Sequence, residues 1–322
     1  MSMRQAILDF PKQFTFSPVV ENASGLARKP SVIVAGMGGS HLAADILKAG
    51  DPTVNLFIHS DYGLPPWSLA RLQETLLIAS SYSGNTEETL DAYEAAGDLG
   101  MSRAVISVGG RLLEAAERDG VSCIHLPQTG VQPRSAIGLS LVALAKLLGR
   151  GDLLAELASL TLTLPAAAFE APGRKLADEL HARVPVIYAS SANVAVAANW
   201  KIKINETGKS PAFFNVFPEL NHNEMTGFDK RDASAPPSSG FAFVFLNDAD
   251  DHLRTRRRME VTAELYRARG YAVHEIELEG NTRFERLFNA LLLADWTALS
   301  LAERYGLESE QVPMVEEFKK LV

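Results

Sequence analysis

The sequence predicts an α/β protein with two doubly wound domains in tandem, each a mainly parallel sheet flanked by helices. Three observations predict this class. Short apolar runs typical of buried strands recur along the chain. Segments with a helical spacing of apolar residues lie between those runs, as in strand–helix–strand crossovers. The second half then repeats the layout of the first, with a strand, small residues and a helix in succession.

The first predicted domain comprises residues 1–150 and includes an N-terminal arm. Its five strands are expected at 31–35, 54–59, 75–80, 104–108 and 123–126. Its helices are expected at 87–96, 111–118 and 139–148. Gly149 and Gly151 follow the last of these helices, and glycine just past a helical pattern is a typical stop signal. We therefore expect the domain boundary near residue 150.

The second predicted domain comprises residues 151–322 and begins with a helical stretch at 152–180, which is expected to break around Pro165 and around Pro172 and Gly173. A strand followed by a small-residue turn is expected at 184–191, and further strands are expected at 212–216, 241–246 and 272–278. Its helices are expected at 192–205, 283–304 and 312–321. Ligand sites in such parallel sheets lie beyond the carboxyl ends of the strands.

The composition excludes several classes of function. The chain has 322 residues, of which 47% are hydrophobic, which suits two globular cores. A net charge of −8 disfavours nucleic acid as the main partner. The basic run at 254–258 lies in a helical pattern with acidic residues at its start, so we interpret it as a solvated helix face. No apolar run is long enough to cross a bilayer, so no membrane partner is expected.

The single cysteine, Cys123, lies inside an apolar run and is interpreted as a core residue. One cysteine cannot form an intrachain disulfide, and the N-terminus lacks the apolar segment of a signal peptide. These two features predict a cytoplasmic protein.

The stretch at 76–90 is interpreted as a phosphate site. It begins as a strand, turns through hydroxyl residues and Gly84, and enters a helical pattern. Free backbone N–H groups at a helix start bind anions, and the hydroxyls of Ser81, Ser83 and Thr86 can each donate to a phosphate oxygen. The alternative is an ordinary connection in which Asn85 or Thr86 caps the helix.

The glycine-rich turn at 36–41 first suggests a dinucleotide fingerprint, with Asp61 placed to hold a ribose. His41 occupies the position of the third glycine, however, and would crowd the helix against the strand. The turn is better suited to form a second wall of a phosphate or sugar site through the Gly39 N–H group and Ser40.

Two charged residues at helix ends are candidates for chemistry. Arg134 follows Pro133 at the start of a helix and can grip a phosphate or stabilise an oxyanion; the alternative is a surface arginine paired with a carboxylate. Glu206 lies in the last turn of a helix, with Gly208 as the expected C′ residue. The negative end of the helix dipole tends to raise a carboxyl pKa, which suits a general base.

His222 lies among hydrogen-bonding residues at 219–224 and can move protons near neutral pH. His222 and Glu224 could in principle bind a metal, but no second histidine lies at helical spacing from His222, so no metal is expected. The histidines at positions 59, 125 and 274 fall in or beside strand patterns and are interpreted as structural.

These motifs together resemble the bifunctional phosphoglucose/phosphomannose isomerase family, which is built from two sugar isomerase (SIS) domains. The motifs are GMGGS at 36–40, SYSGNTEET at 81–89, PRSA at 133–136, NE at 205–206 and ELNHNE at 219–224. The resemblance implies that Gly39, Ser40, Ser81, Ser83 and Thr86 hold the substrate, mainly by its phosphate.

The resemblance also implies the catalytic roles. Glu206 would shuttle a proton between C1 and C2 through a cis-enediol, Arg134 would stabilise the enediolate, and His222 would open the sugar ring across a dimer interface. A C-terminal lysine reaches the site in the family, and Lys319 is the best match, with Lys320 beside it. In the family, a threonine before this proline gives room for either C2 epimer. Val312 stands before Pro313 in this chain, which counts against the mannose activity more than against the glucose activity.

The resemblance therefore implies a metal-independent aldose–ketose isomerase without a cofactor. It would interconvert glucose 6-phosphate and mannose 6-phosphate with fructose 6-phosphate as a homodimer with a shared active site. Two alternatives stay open: another SIS-domain sugar-phosphate isomerase, and a non-catalytic sugar-phosphate sensor. The acidic balance and the lack of a basic recognition helix disfavour the sensor.

Overall fold

A computed structural model of the protein describes residues 2–321 and divides into two compact units. Unit 1 comprises Asp9–Thr163, and unit 2 comprises Ser2–Leu8 together with the chain from Leu164 onward. Residues 1 and 322, the outermost residues of the two predicted domains, lie outside the described part. The chain begins with helix α1 (Met3–Leu8), which belongs to unit 2.

Unit 1 contains a five-stranded parallel sheet. Its strands are β1 (Ser31–Ala35), β2 (Leu56–His59), β3 (Thr75–Ser80), β4 (Ser102–Ser107) and β5 (Ser122–His125). They are ordered β2-β1-β3-β4-β5, with every pair of neighbours parallel. All six residues of β3 are buried, which requires cover on both faces of the sheet and explains the uninterrupted apolar pattern of this strand.

The helices of unit 1 connect and cover these strands. They are α2 (Leu42–Gly50), α3 (Leu69–Gln73), α4 (Glu87–Asp98), α5 (Gly110–Arg118), α6 (Ile137–Leu147) and α7 (Gly151–Thr163). Residues of α4 and α5 share a core with the sheet, in which Tyr93 and Cys123 are fully buried. Two short 3-10 turns, Gly38–Ser40 and Pro133–Ser135, precede α2 and α6.

Unit 2 contains a four-stranded parallel sheet that repeats the layout of unit 1. Its strands are β6 (Val184–Ser190), β7 (Phe213–Phe217), β8 (Phe241–Asn247) and β9 (Ala272–Glu277). Their order is β7-β6-β8-β9, which matches β2-β1-β3-β4 strand for strand. The predicted repeat of strand, small-residue turn and helix is therefore confirmed, and β8 is the counterpart of β3.

Unit 2 is organised around one long buried helix. Its helices after α1 are α8 (Glu170–Leu180), α9 (Val194–Glu206), α10 (Glu224–Gly227), α11 (Ala235–Ser238), α12 (Leu253–Ala268), α13 (Arg283–Tyr305) and α14 (Pro313–Phe318). Helix α13 packs against α8 and α9. A side chain at Gly173 of α8 would come within 2.5 Å of Trp296, so glycine permits this close approach. A buried ion pair of 2.6 Å joins Lys203 of α9 to Asp295 of α13.

The observed division differs from the predicted boundary near residue 150. Helix α7 belongs to unit 1, because Leu157 and Leu160 are fully buried and the helix packs on α6 and on the 3-10 turn Phe10–Thr15. Gly149, with φ of +68°, makes a turn between two helices of one unit. The start of the arm instead belongs to unit 2, where Arg4 contacts Glu170 at 2.8 Å.

Within residues 2–321, no single helix has both the length and the apolar composition of a membrane crossing. The pair Gly151–Thr163 and Ala166–Leu180 meets that test of length and composition only when its two helices are taken together.

Candidate active site

The predicted phosphate loop lies between β3 and α4, as the sequence indicated. It passes through Gly84, whose φ of +71° is left-handed. A side chain at Gly84 would come within 1.7 Å of the Gly109 carbonyl oxygen, so the loop lies directly on the connection that follows β4. Only glycine satisfies both the backbone angle and this contact.

Two of the three predicted hydroxyls in this loop are bonded to each other. The Ser81 Oγ atom lies 2.8 Å from Thr86 Oγ1 and also accepts a hydrogen bond from the Gly84 N–H group at 3.1 Å. Ser83 is exposed, and its Oγ atom accepts from the Asn85 N–H group at 3.2 Å. Thr86 is the N-cap of α4, but its side chain does not cap the helix.

The alternative prediction, that Asn85 or Thr86 caps α4, is disfavoured by the hydrogen bonds that these two side chains make. The Asn85 Oδ1 atom accepts from the Arg111 N–H group at 3.2 Å, on the neighbouring helix α5. The Thr86 hydroxyl is directed to Ser81. The N–H groups of the first turn of α4 consequently lack a side-chain cap from either residue, which leaves them suited to an anion.

The glycine-rich turn after β1 braces the phosphate loop. The Ser40 Oγ atom accepts from the Tyr82 N–H group at 2.9 Å, while the Ser40 carbonyl accepts from the Ser80 hydroxyl at 2.8 Å. A side chain at Gly39 would come within 2.7 Å of the Arg134 backbone nitrogen. The Gly39–Ser40 turn thus contacts the hydroxyl loop at the carboxyl edge of the sheet, and the backbone of Arg134 packs against Gly39.

Arg134 is only 2% exposed, so it is not the surface arginine of the alternative interpretation. It lies in the turn Pro133–Ser135, which is held by the buried side chain of Gln13. The Gln13 amide donates to the Ser135 carbonyl at 2.6 Å and accepts from the Leu139 N–H group at 3.2 Å. Sequence reasoning missed Gln13, because its partners lie far along the chain and no local pattern marks it.

Glu206 is the last residue of α9, one residue beyond the predicted helix, and its side chain is half-buried. Its carbonyl accepts from the Lys209 ammonium group at 2.6 Å, and the same group also contacts the Gln311 carbonyl. The left-handed residue after α9 is Lys209, with φ of +55°. Gly208 follows the C-cap residue Thr207 and is therefore the C′ residue, as predicted. It also permits close packing, because a side chain there would come within 2.7 Å of the Ile204 carbonyl.

His222 ends the 3-10 turn Glu219–His222 that follows β7, and its side chain is exposed. The neighbouring Glu224 is held in place, because its carboxylate accepts from the Tyr188 hydroxyl and from the Asn215 amide, each at 2.5 Å. Burial, and then the neighbouring Tyr266 and Glu224, raise the pKa of the Tyr188 hydroxyl, which keeps it a donor. Glu224 therefore anchors the turn that carries His222.

Lys319 follows α14 and is exposed, with its ammonium group 2.7 Å from the Glu316 carboxylate. The hydrogen bond from Lys319 lowers the pKa of Glu316. Pro313 is the first residue of α14 and Val312 is its N-cap, as the sequence indicated.

The counterpart of the phosphate loop in unit 2 carries carboxylates instead of hydroxyls. Asp248 follows β8 as Ser81 follows β3, and it is 2% exposed. The Arg283 guanidinium contacts Asp248, and that of Arg286 contacts Asp250. The Ser190 hydroxyl donates to Asp251 at 2.5 Å, and burial raises the pKa of Asp251. Anionic side chains paired with arginine fill the position that a phosphate would need.

A cluster of potential metal ligands contains none of the predicted catalytic residues. Within residues 2–321, one group of three His, Cys, Asp or Glu side chains has its ligand atoms within 4.8 Å of one another: Glu21, Cys123 and His125. Cys123 is fully buried, as predicted, and burial raises the pKa of its thiol to about 11, which makes it a poor nucleophile.

Comparison with known proteins identifies relatives along nearly the whole chain. Residues 169–322 match the family described as the bacterial phospho-glucose isomerase C-terminal SIS domain. A bifunctional phosphoglucose/phosphomannose isomerase from Caldicellulosiruptor bescii is 36% identical, covering 89% of this chain and 88% of that protein. One from Aquifex aeolicus is 31% identical, covering 97% of this chain and 95% of that protein.

The fold also matches solved structures. A hypothetical protein from Thermus thermophilus superposes with a TM-score of 0.70 at 17% identity, covering 99% of this chain and 89% of that one. This similarity supports the α/β fold, the match at residues 169–322 supports its SIS type, and the sequence relatives identify the family. The chain belongs to the bifunctional phosphoglucose/phosphomannose isomerase family.

Proposed function

We propose that the protein is an aldose–ketose isomerase that interconverts glucose 6-phosphate and mannose 6-phosphate with fructose 6-phosphate. The observation that carries the proposal is the 36% identity to a bifunctional phosphoglucose/phosphomannose isomerase over 89% of the chain. The hydroxyl loop at the start of α4 supports a phosphorylated substrate, because it combines neutral donors with uncapped helix N–H groups.

In this proposal, unit 1 binds the phosphate and stabilises developing charge. Ser81, Ser83 and Thr86 donate hydroxyl hydrogen bonds to phosphate oxygens, and the Gly39–Ser40 turn supports them. Arg134 stabilises the enediolate oxygens. Its burial supports this role, because a guanidinium in a poorly hydrated place interacts more strongly with a developing negative charge.

Unit 2 supplies the proton transfers in this proposal. The Glu206 carboxylate removes the proton from C2 of the aldose and returns it to C1 after the cis-enediol forms, while the O2 proton is transferred to O1. His222 opens the sugar ring, and Lys319 assists at the substrate. The net reaction is a rearrangement without oxidant or reductant, so the proposal includes neither a metal nor a redox cofactor in the chemistry.

We further propose a cytoplasmic homodimer in which His222 serves the active site of the second subunit. The exposed position of His222, on a turn anchored by Glu224, supports such a role. Val312 before Pro313 leaves glucose 6-phosphate as the better aldose substrate in this proposal.

A coupled assay with fructose 6-phosphate and both aldose 6-phosphates tests the proposal. Glu206→Gln should bind sugar phosphate nearly as the parent does but lose at least about 100-fold in kcat, because a positioned base contributes about 10²–10⁴-fold. The exposed Glu264→Gln on α12 is the matched control and should keep parental turnover. EDTA should leave turnover unchanged.

Three results would contradict the assignment. Parental turnover in Glu206→Gln would show that Glu206 is not the catalytic base. Binding of fructose 6-phosphate without aldose formation would indicate a sensor. Turnover of glucosamine 6-phosphate or arabinose 5-phosphate, with none of fructose 6-phosphate, would indicate another SIS isomerase.

A further inference from the structure

The edge strand β5 of unit 1 carries a cluster of side chains that the proposed isomerase chemistry does not use. Cys123 and His125 are two residues apart on β5 and therefore lie on one face of the sheet. The arm residue Glu21 pairs antiparallel with Cys123, which puts its side chain on the same face. Three different types of metal ligand thus meet at one place.

The backbone holds this cluster in place. The Glu21 N–H group donates to the Cys123 carbonyl at 2.9 Å, and the Cys123 N–H group donates to the Glu21 carbonyl at 3.2 Å. The Ser122 hydroxyl donates to the Asn22 carbonyl at 2.8 Å. Glu21 is therefore fixed at the sheet edge, so little chain entropy would be lost on binding a ligand there.

The charges of the cluster favour a cation. The His125 Nε2 atom lies 3.4 Å from a Glu21 carboxylate oxygen and 3.5 Å from a Glu117 carboxylate oxygen of α5. Two carboxylates beside one ring nitrogen favour a cation at this place. The side chains of Glu21, Glu117 and His125 are 40–52% exposed, so an ion has access from solvent.

We propose that Glu21, Cys123 and His125 form a structural zinc site, with Glu117 or water completing the coordination. Thiolate and imidazole ligands select zinc over magnesium or calcium. Tetrahedral zinc holds its ligand atoms roughly 3–4 Å apart, and the ligand atoms here lie within 4.8 Å of one another before any adjustment. The zinc displaces the thiol proton of Cys123, and that proton leaves to solvent.

The role of this zinc is to join the N-terminal arm to the exposed edge of the sheet. Glu21 comes from the arm and Cys123 and His125 from β5, so one ion links both elements. The site shares no residue with the phosphate loop or with Glu206 and His222. Its loss should therefore be seen first as a loss of stability.

Cobalt and zinc titrations of the tag-free full chain test this proposal. After chelator treatment, one equivalent of Co²⁺ should produce a thiolate-to-cobalt charge-transfer band. The band should be absent in Cys123→Ala. His125→Gln, whose exposed side chain can be replaced without disturbing the core, should weaken metal binding at least about tenfold. Zinc should raise the thermal midpoint of the parent but not of Cys123→Ala.

Glu114→Gln is the matched control, because Glu114 is an exposed carboxylate on α5 one turn before Glu117. It should bind Co²⁺ as the parent does. The proposal is overturned if the chelator-treated parent gives no charge-transfer band, if the band persists in Cys123→Ala, or if His125→Gln and Glu114→Gln bind Co²⁺ equally.

Discussion

At the residue scale, the phosphate loop depends on a few contacts that tolerate no additional atom. Gly84 combines a left-handed backbone with a position directly against the Gly109 carbonyl. Gly100 has a similar φ of +66°, but a side chain there would meet nothing within 4 Å. Comparing substitutions at the two glycines therefore separates the stability lost through the left-handed backbone angle from the stability lost through the contact with Gly109.

We expect Gly100→Ala to lower the free energy of unfolding by about 1–2 kcal/mol, because the left-handed conformation costs that much for alanine. Gly84→Ala should lose a further 1–3 kcal/mol or so from overpacking, together with phosphate binding. Urea denaturation and titration with sorbitol 6-phosphate measure the two effects. Equal destabilisation by both substitutions would refute the importance of the Gly109 contact.

His274 leads to a separate prediction about how the stability of the folded chain depends on pH. Burial lowers the pKa of this imidazole below the ordinary value of 6.5, and Arg183 contributes, against an opposing effect of Glu179. Below about pH 6.5 the unfolded chain therefore binds a proton that the folded chain resists, so stability falls as the pH falls.

His274→Gln should lose less stability than the parent when the pH is lowered from 6.5 to about 5.5. The exposed His181→Gln is the control and should behave as the parent does. Thermal midpoints across this interval measure the difference, and parallel pH profiles for the parent and His274→Gln would count against it.

At the element scale, helix α13 supports the end of α9 that carries Glu206, the proposed base. The buried Lys203–Asp295 pair links the two helices one turn before Glu206. Removing one member of a buried ion pair destabilises a protein far more than replacing both members with apolar residues.

Lys203→Met should therefore destabilise the protein by about 3–5 kcal/mol. The double variant Lys203→Met/Asp295→Leu should recover much of that loss. Denaturant titrations of the two single variants and the double variant form the test. Additive losses in the double variant would show that the pair is not coupled.

The predicted elements show which parts of the fold a local pattern determines. Within residues 2–321, the nine strands were predicted to within a few residues, because short runs that contain apolar residues and are bounded by turn residues indicate strands. Gln13 was not predicted, because its partners lie more than 120 residues further along the chain. The 3-10 turns are too short to give a periodic pattern, and no residue type marks a left-handed lysine such as Lys209. The hydroxyl residues of the loop in unit 1 were identified from the sequence. The hydrogen bond between the Ser81 and Thr86 hydroxyls was not, because it forms only in the folded loop.

At the scale of the whole molecule, the two similar sheets differ at their corresponding loops. Hydroxyls follow β3, whereas carboxylates paired with Arg283 and Arg286 follow β8. Anionic groups repel a phosphate, so only one of the two loops is suited to hold it.

The chain should accordingly bind one sorbitol 6-phosphate, which cannot isomerise because it lacks a carbonyl group. Isothermal titration should give one site per chain. Ser81→Ala/Thr86→Ala should abolish the binding heat, whereas Ser190→Ala in unit 2 should retain it. A stoichiometry of two, or binding that survives the double substitution, would refute this difference between the loops.

The placement of residues 2–8 in unit 2 has a consequence for biosynthesis. Met3, Ala6 and Ile7 of α1 are buried, and Arg4 lies over the Trp296 ring of α13. These residues are translated before unit 1, whereas Trp296 is translated almost three hundred residues after them. The nascent chain must keep this apolar segment unburied while unit 1 folds, which leaves the segment exposed to chaperones and proteases during that time.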